Sequence, residues 1–254
     1  EIHERLVGSE MCIRDRIDGV PHELPWPELN YRNEEAWYGG MARGISANGE
    51  IIYGTSWENS DFGMLYWINN GTSTAAPKWV GHDVKEVWEE TMKMSDGTEY
   101  TTHLVNGLIC QAQLTKISPN GKWIASSYRT ETPAEDRLSI VTTQTAAFYN
   151  TETETTTIVS DYGESVGVHV TDDGIGFIGI GTLGISSGAV YDLNTGTDLG
   201  SRQDWVYDNY GIIIPAGYIN YVSADGRFVL GTKAESSAMG VSFINWYIAP
   251  PLAK

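Results

Sequence analysis

Residues 222–231 read VSADGRFVLG, and three earlier segments repeat this pattern without gaps. The four copies are 45–54 (ISANGEIIYG), 117–126 (ISPNGKWIAS), 170–179 (VTDDGIGFIG) and 222–231 itself. In each copy a β-branched residue precedes a Ser or Thr, whose side chain can hydrogen-bond the turn backbone. The Asn-Gly or Asp-Gly pair that follows supplies the positive φ of a tight hairpin turn. Each copy therefore predicts a β-hairpin. An apolar residue three places after the glycine points inward, and a small residue two places later lets neighbouring units pack closely.

The copies recur at a spacing typical of propeller blades. Their Ser or Thr positions lie 72, 53 and 52 residues apart. Third strands are predicted at 63–68, 146–149, 188–191 and 240–244, and fourth strands at 77–80, 155–160 and 197–200. Four short antiparallel strands repeated about every 50 residues indicate blades, which bury their faces by stacking around an axis. We therefore predict an all-β fold, a β-propeller of about four to five blades of four-stranded antiparallel sheets, either whole or part of a larger ring.

Two segments stand apart from the repeats. Residues 1–16, EIHERLVGSEMCIRDR, resemble a translated sequencing adapter and are set aside from fold reasoning. This leaves a single propeller domain over 17–254, and it implies that an upstream export signal would have been lost. Residues 83–108 lengthen the first interval and predict an insertion between blades, for which a hairpin and a short helix both fit the pattern.

The hairpin segments resemble two related families of bacterial repeats. Residues 117–125, ISPNGKWIA, are similar to the WD40-like repeat of TolB-type and prolyl-oligopeptidase-type propellers. Residues 45–54 and 222–231 are closer to HAF-type repeats of extracellular proteins, although the namesake His-Ala-Phe is missing. The resemblance implies a propeller in a secreted, periplasmic or cell-surface protein. It implies no particular reaction, because propellers host many functions.

Composition excludes several classes of partner. The chain has 33 Asp and Glu against 16 Lys and Arg, a formal net charge of −17. A nucleic-acid partner is not expected, since phosphate-backbone binding requires a basic face. A transmembrane segment is not expected either, because no run of 18 apolar residues occurs.

Candidate binding residues are aromatic and acidic side chains in predicted loops. Trp57 lies in one such loop, and Trp205, Tyr207 and Asp208 lie in another. Loop aromatics beside acids and amides suit contact with a sugar or peptide, although packing within the loop is an alternative role. We assign no catalytic residue, because the sequence shows no coherent catalytic set, and no metal ligand, because the five histidines show no metal-ligand spacing. No cofactor is expected, and calcium is considered only as an adventitious ion at an acidic loop.

Two functional hypotheses remain open at this point. The first is a non-catalytic secreted or cell-envelope propeller that binds or scaffolds an unidentified glycan, peptide or protein. The alternative is the propeller portion of a hydrolase, either prolyl-oligopeptidase-like or glycan-active. Its catalytic part would be missing from the sequence or would sit on the propeller axis.

Overall fold

The repeats form the blades of a propeller. The computed structural model of the protein describes residues 14–17, 20–35, 40–56, 63–69, 76–109, 116–181, 187–215, 218–237 and 240–249. Within these ranges four antiparallel sheets adopt a four-blade propeller arrangement, which confirms the predicted fold class. A separate short hairpin of β1 (Arg14–Ile17) and β2 (Val20–Glu23) precedes the blades. Residues 1–13 lie outside the described ranges, so the foreign origin of 1–16 stays a prediction.

The first blade shows the turn chemistry that the repeat predicts. Its strands are β3 (Gly40–Ile45), β4 (Ile51–Ser56), β5 (Met64–Ile68) and β6 (Lys78–Trp79), paired in that order. The hydroxyl of Ser46 accepts a hydrogen bond from the Ile51 N–H at 3.0 Å and donates to Asn48 Oδ1 at 2.5 Å. Gly49 completes the turn with a φ of 76°. The Ser side chain and the glycine together hold the hairpin closed.

The second blade is widened by an additional hairpin. The strands of this sheet are β7 (Glu86–Lys93), β8 (Glu99–Ile109), β9 (Lys116–Ile117), β10 (Trp123–Pro133), β11 (Ile140–Asn150) and β12 (Thr155–Val159). One edge of β10 pairs with β9 through residues 124–125 and with β8 through residues 127–129. The segment 83–108 thus contains a strand at Glu86–Lys93 and no helix.

A helix separates the third blade from the fourth. The strands of these blades are β13 (Ser165–Val170), β14 (Ile175–Ile180), β15 (Ser187–Asp192) and β16 (Thr197–Ser201), then β17 (Tyr218–Val222), β18 (Val229–Ser237) and β19 (Gly240–Ile248). A 3-10 turn at Ser160–Tyr162 precedes β13. Helix α1 (Arg202–Tyr210) follows β16, where the sequence analysis placed a loop. Across the described ranges no helix has the length and apolar character needed to cross a membrane.

Aromatic and β-branched side chains fill the spaces between neighbouring blades. Tyr53 and Tyr149 share the cluster between the first and second blades. Phe148 and Ile178 share the next cluster, and Phe177 belongs to the cluster between the third and fourth blades. Because each cluster draws residues from two sheets, the hydrophobic core of the protein lies mainly between blades.

The second and third blades approach each other closely at two small residues. A Cβ built on Gly167 of β13 would lie 2.7 Å from the carbonyl oxygen of Ser126 in β10. Ser126 occupies the small-residue column of the repeat, as predicted for close packing between units.

The segment before the first blade is wedged into the propeller by one tyrosine. Tyr31 is only 1% exposed. A Cβ on Gly63 would lie 2.4 Å from Tyr31 Cγ, and a Cβ on Gly107 would lie 2.0 Å from the Tyr31 hydroxyl oxygen. The indole N–H of Trp67 donates to the Pro25 carbonyl at 2.7 Å. Two glycines and a buried indole thus hold this segment against the blades.

Candidate functional site

The hairpin turns of the first three blades form a hydrogen-bonded row. The Ala47 N–H of the first turn donates to the Pro119 carbonyl of the second at 2.7 Å, and Asn48 Nδ2 donates to the Asn120 carbonyl at 3.1 Å. The Asn120 N–H in turn donates to Asp172 Oδ1 of the third turn at 2.8 Å. Adjacent turns along this row therefore contact each other directly.

Between the third and fourth turns a cleft takes the place of such contacts. Its volume is about 390 Å³. The lining residues come from the two turns and from α1: Thr171, Asp173, Ile175, Trp205, Asn209, Tyr210, Val222, Ser223, Ala224, Asp225 and Gly226. The helix occupies one side of the cleft, and the two Asp-Gly hairpins form the other sides.

Local sequence explains why a helix stands at this place. Ser201 is the N-cap, and its hydroxyl accepts a hydrogen bond from the Asp204 N–H at 3.1 Å. Gly211 ends the helix in the left-handed conformation, with a φ of 67°. Arg202 and Val206, one helical turn apart, are the buried residues of α1 and attach it to the propeller.

Trp205 is held in the cleft by edge-to-face contacts on two sides. Its ring centroid lies 5.0 Å from that of Phe177 and 5.8 Å from that of Tyr210. The Tyr210 hydroxyl donates to the Gly226 carbonyl at 2.5 Å, which ties the end of α1 to the fourth turn. Burial raises the pKa of Tyr210, so this hydroxyl stays protonated at neutral pH. The aromatic wall of the cleft is therefore fixed before any ligand arrives.

The two turns contribute one carboxylate each. Asp225 Oδ1 accepts hydrogen bonds from the Ser223 hydroxyl at 2.6 Å and from the Arg227 N–H at 3.0 Å. The hydrogen bond from Ser223 is the main reason why the pKa of Asp225 lies below its usual range. Asp173 Oδ1 accepts a short hydrogen bond from the Thr171 hydroxyl in the same way. Each carboxylate thus uses one oxygen to close its own turn.

A buried histidine links the third and fourth blades beneath the cleft. His169 is 1% exposed, and its Nε2 accepts a hydrogen bond from the Val222 N–H at 2.9 Å. Its ring stacks on Phe177, with the centroids 5.8 Å apart. Burial lowers the pKa of His169 to about 4, so the ring is neutral at pH 7 and can act as this acceptor.

The structure brings one of the predicted binding residues to the cleft and places others elsewhere. Trp205 lines it. Tyr207 is 57% exposed, and Asp208 is also exposed; neither lines the cleft. The expectation that 205–208 form a loop was wrong, because the capped helix α1 turns Trp205 and Tyr207 in different directions. Trp57 lies outside the described residues.

Sequence reasoning missed the other residues that line the cleft. Tyr210 and Asn209 lie on α1, and this helix was not predicted. Asp173 and Asp225 carried a readable signal, since the first two copies of the repeat have Asn at the same position. In the described ranges, no group of three His, Cys, Asp or Glu side chains is placed to hold a metal ion.

Comparisons with known proteins give alignments to solved structures at low sequence identity. No protein-family model and no curated protein matches this sequence. TolB from Acinetobacter baumannii aligns with a TM-score of 0.43 and 12% identity, over 85% of this chain and 43% of the TolB chain. A protein from Lactobacillus plantarum aligns with a TM-score of 0.27 and 18% identity, over 81% of this chain and 69% of its own. The tricorn protease aligns with a TM-score of 0.23 and 9% identity, over 84% of this chain and 26% of its own. This chain thus spans less than half the length of TolB.

Proposed function

We propose that the protein is a non-catalytic binding module and that the cleft between the third and fourth turns holds its ligand, a glycan, a peptide or a segment of a protein. The single observation that carries this proposal is the fixed aromatic wall of Trp205 and Tyr210 beside two carboxylates in a cavity of about 390 Å³. Ligand sites combine a concave apolar surface with a few convergent polar groups, and a rigid aromatic loses little entropy on binding.

Further support comes from the location of the cleft. The other two turn-to-turn junctions are closed by direct hydrogen bonds, and α1 stands where the third junction opens. Turns carried on a rigid sheet are common sites of recognition, because the scaffold fixes the positions of their side chains.

A binding screen with matched variants tests this proposal. Purified protein is applied to glycan and peptide arrays, and each hit is titrated against Trp205→Ala and Tyr207→Ala. We expect Trp205→Ala to weaken binding by at least about tenfold, as for a central aromatic anchor. Tyr207→Ala should change it less than twofold, because this exposed ring on the same helix does not line the cleft.

A second variant separates lost binding from lost folding. Trp205 packs against Phe177, so its truncation can loosen the helix. Asn209→Ala removes a lining side chain from an exposed position and should weaken binding in a protein that melts like the wild type. Equal affinity of wild type, Trp205→Ala and Asn209→Ala for every hit would refute the site. Turnover of a hit by clean protein would refute the non-catalytic role.

We also infer a secreted, periplasmic or cell-surface setting, which the resemblance of the hairpins to extracellular repeats supports. The complete reading frame provides the test. An export signal at its start would agree with the inference, and a complete frame without any export signal would contradict it.

A further inference from the structure

The two turns that enclose the cleft carry a negative charge at a position where the other two turns are neutral. The residue before the turn glycine is Asn48 in the first copy and Asn120 in the second, but Asp173 in the third and Asp225 in the fourth. The amide of Asn48 hydrogen-bonds the neighbouring turn at 3.1 Å. The two aspartates line the cleft. Negative charge therefore occurs at this column only in the two turns that enclose the cleft.

Three oxygens that belong to lining residues of the cleft have hydrogen-bonding capacity to spare. Among the described residues, no partner is found for Oδ2 of Asp173 or Oδ2 of Asp225. The carbonyl of Ala224 is the third, and it likewise accepts no hydrogen bond within the described ranges. In the second turn the equivalent carbonyl, that of Pro119, accepts the N–H of Ala47. Asp173, Ala224 and Asp225 are exposed, so water can hydrate these oxygens until donors of a ligand replace it.

The residues that line the cleft carry no positive charge of their own, since none of them is Lys or Arg. Arg227, next to the fourth turn, is exposed and does not line the cleft, although its charge is one of the causes that lower the pKa of Asp225. The chain as a whole carries a formal charge of −17, which disfavours an anionic ligand. Trp205 and Tyr210 line the cleft, and aromatic rings attract cations.

From these observations we infer that the ligand carries a cationic side chain, an arginine or lysine of an extended peptide, which enters the cleft between Asp173 and Asp225. This inference rests on the proposed binding function. Guanidinium and ammonium groups bring only donors, which match the three free oxygens. A guanidinium can also stack on an aromatic ring while it bonds a carboxylate, so arginine is the better fit.

The experiment compares two peptides that differ in charge but hardly in shape. One fluorescein-labelled peptide alternates glycine with arginine, and the other alternates glycine with citrulline, the neutral isostere. Anisotropy titrations use the wild type and the double variant Asp173→Asn/Asp225→Asn. The double variant restores the Asn that already closes the first two turns, so the hairpins should still form. The control Asp136→Asn/Asp161→Asn removes the same charge from exposed positions outside the cleft.

The affinities of the two peptides for the wild type and the variants test the inference. We expect the arginine peptide to bind the wild type at least about tenfold tighter than the citrulline peptide and at least about tenfold tighter than it binds the double variant. The control should stay within about twofold of the wild type. Equal losses in the double variant and the control would show general attraction to an acidic protein and would overturn the inference.

Two oligosaccharide ligands separate failure of this inference from failure of the proposed function. They are neutral chitin fragments and amine-bearing chitosan fragments, each titrated against the wild type and Trp205→Ala. If either binds in a Trp205-dependent manner while the arginine peptide does not bind, the peptide inference falls and the proposed site stands. If the binding of every probe, peptide or sugar, is unaffected by Trp205→Ala, both fall.

Discussion

Replacing Gly167 by alanine tests how tightly the second and third blades are joined. The added methyl group would lie 2.7 Å from the Ser126 carbonyl oxygen and 3.0 Å from the Ala147 carbonyl oxygen. Both atoms are backbone atoms of paired strands in the second blade, and ordinary contacts begin near 3.4 Å. No side chain can rotate away, so the two sheets themselves must move apart.

The expected cost follows from that displacement. The closest approach falls short of an ordinary contact by about 0.7 Å. Overpacking of this kind costs about 1–3 kcal/mol, and we place Gly167→Ala at roughly 2–3 kcal/mol because backbone atoms cannot relax independently. In a protein of this size the melting temperature should fall by roughly 4–12 °C.

Urea denaturation followed by tryptophan fluorescence measures the loss, and hydrogen exchange locates it. Amides of β10 and β13 should exchange faster in Gly167→Ala, whereas those of the first blade should not change. Gly97→Asn at the tip of the β7–β8 hairpin is the control, because nothing lies within 4 Å of a Cβ there and Asn tolerates the positive φ. A stability of Gly167→Ala within about 0.5 kcal/mol of the wild type would refute the close approach of the blades.

Two further predictions concern buried polar groups. Glu131→Ala removes the carboxylate that lies 3.1 Å from Arg32 and 3.0 Å from Arg129 and should cost about 3–5 kcal/mol in urea denaturation. The exposed Glu152→Ala should cost less than about 1 kcal/mol, and a similar loss for both would contradict this account. The folded-state pKa of His169, about 4, lies below its ordinary value of 6.5, so its contribution is complete above pH 6.5 and declines as the pH falls toward 4. The wild type should therefore lose about 3 kcal/mol relative to His169→Gln over this range, and parallel stability curves for the two proteins would contradict the neutral buried ring.

The hairpins were predictable because their signals are local. The Asn-Gly or Asp-Gly pair demands a positive φ, and the preceding Ser or Thr closes the turn, so ten residues are enough to specify each corner. The structure shows that hydroxyl bonding the Asx side chain in every copy. The strand at Glu86–Lys93 was harder to predict, because its charges also fit a helix. Its pairing with β8, and the pairing of β8 with β10 in the second blade, decide between the two, and the β10 partner lies outside any short window of sequence.

Helix α1 escaped prediction because its apolar residues do not recur with a clear helical period. Its two ends nevertheless carried a usable signal. Ser201 stands three residues before Asp204, and Gly211 follows the last turn, a combination that marks a helix start and stop. The cleft depends on this helix, since α1 supplies its aromatic wall. The helix that forms part of the candidate site could therefore have been predicted from its capping residues. Its position next to two turns that are distant in the sequence could not.

The buried side chain of Tyr31 limits how far the protein can be truncated from its N-terminal side and still fold. A protein trimmed to start at the first repeat hairpin would lose this ring, and the spaces that Gly63 and Gly107 leave for it would become a cavity. It would also expose the indole N–H of Trp67 that Pro25 now satisfies. A shortened version of this propeller that keeps these contacts must therefore include Pro25 and Tyr31, which precede the first repeat hairpin.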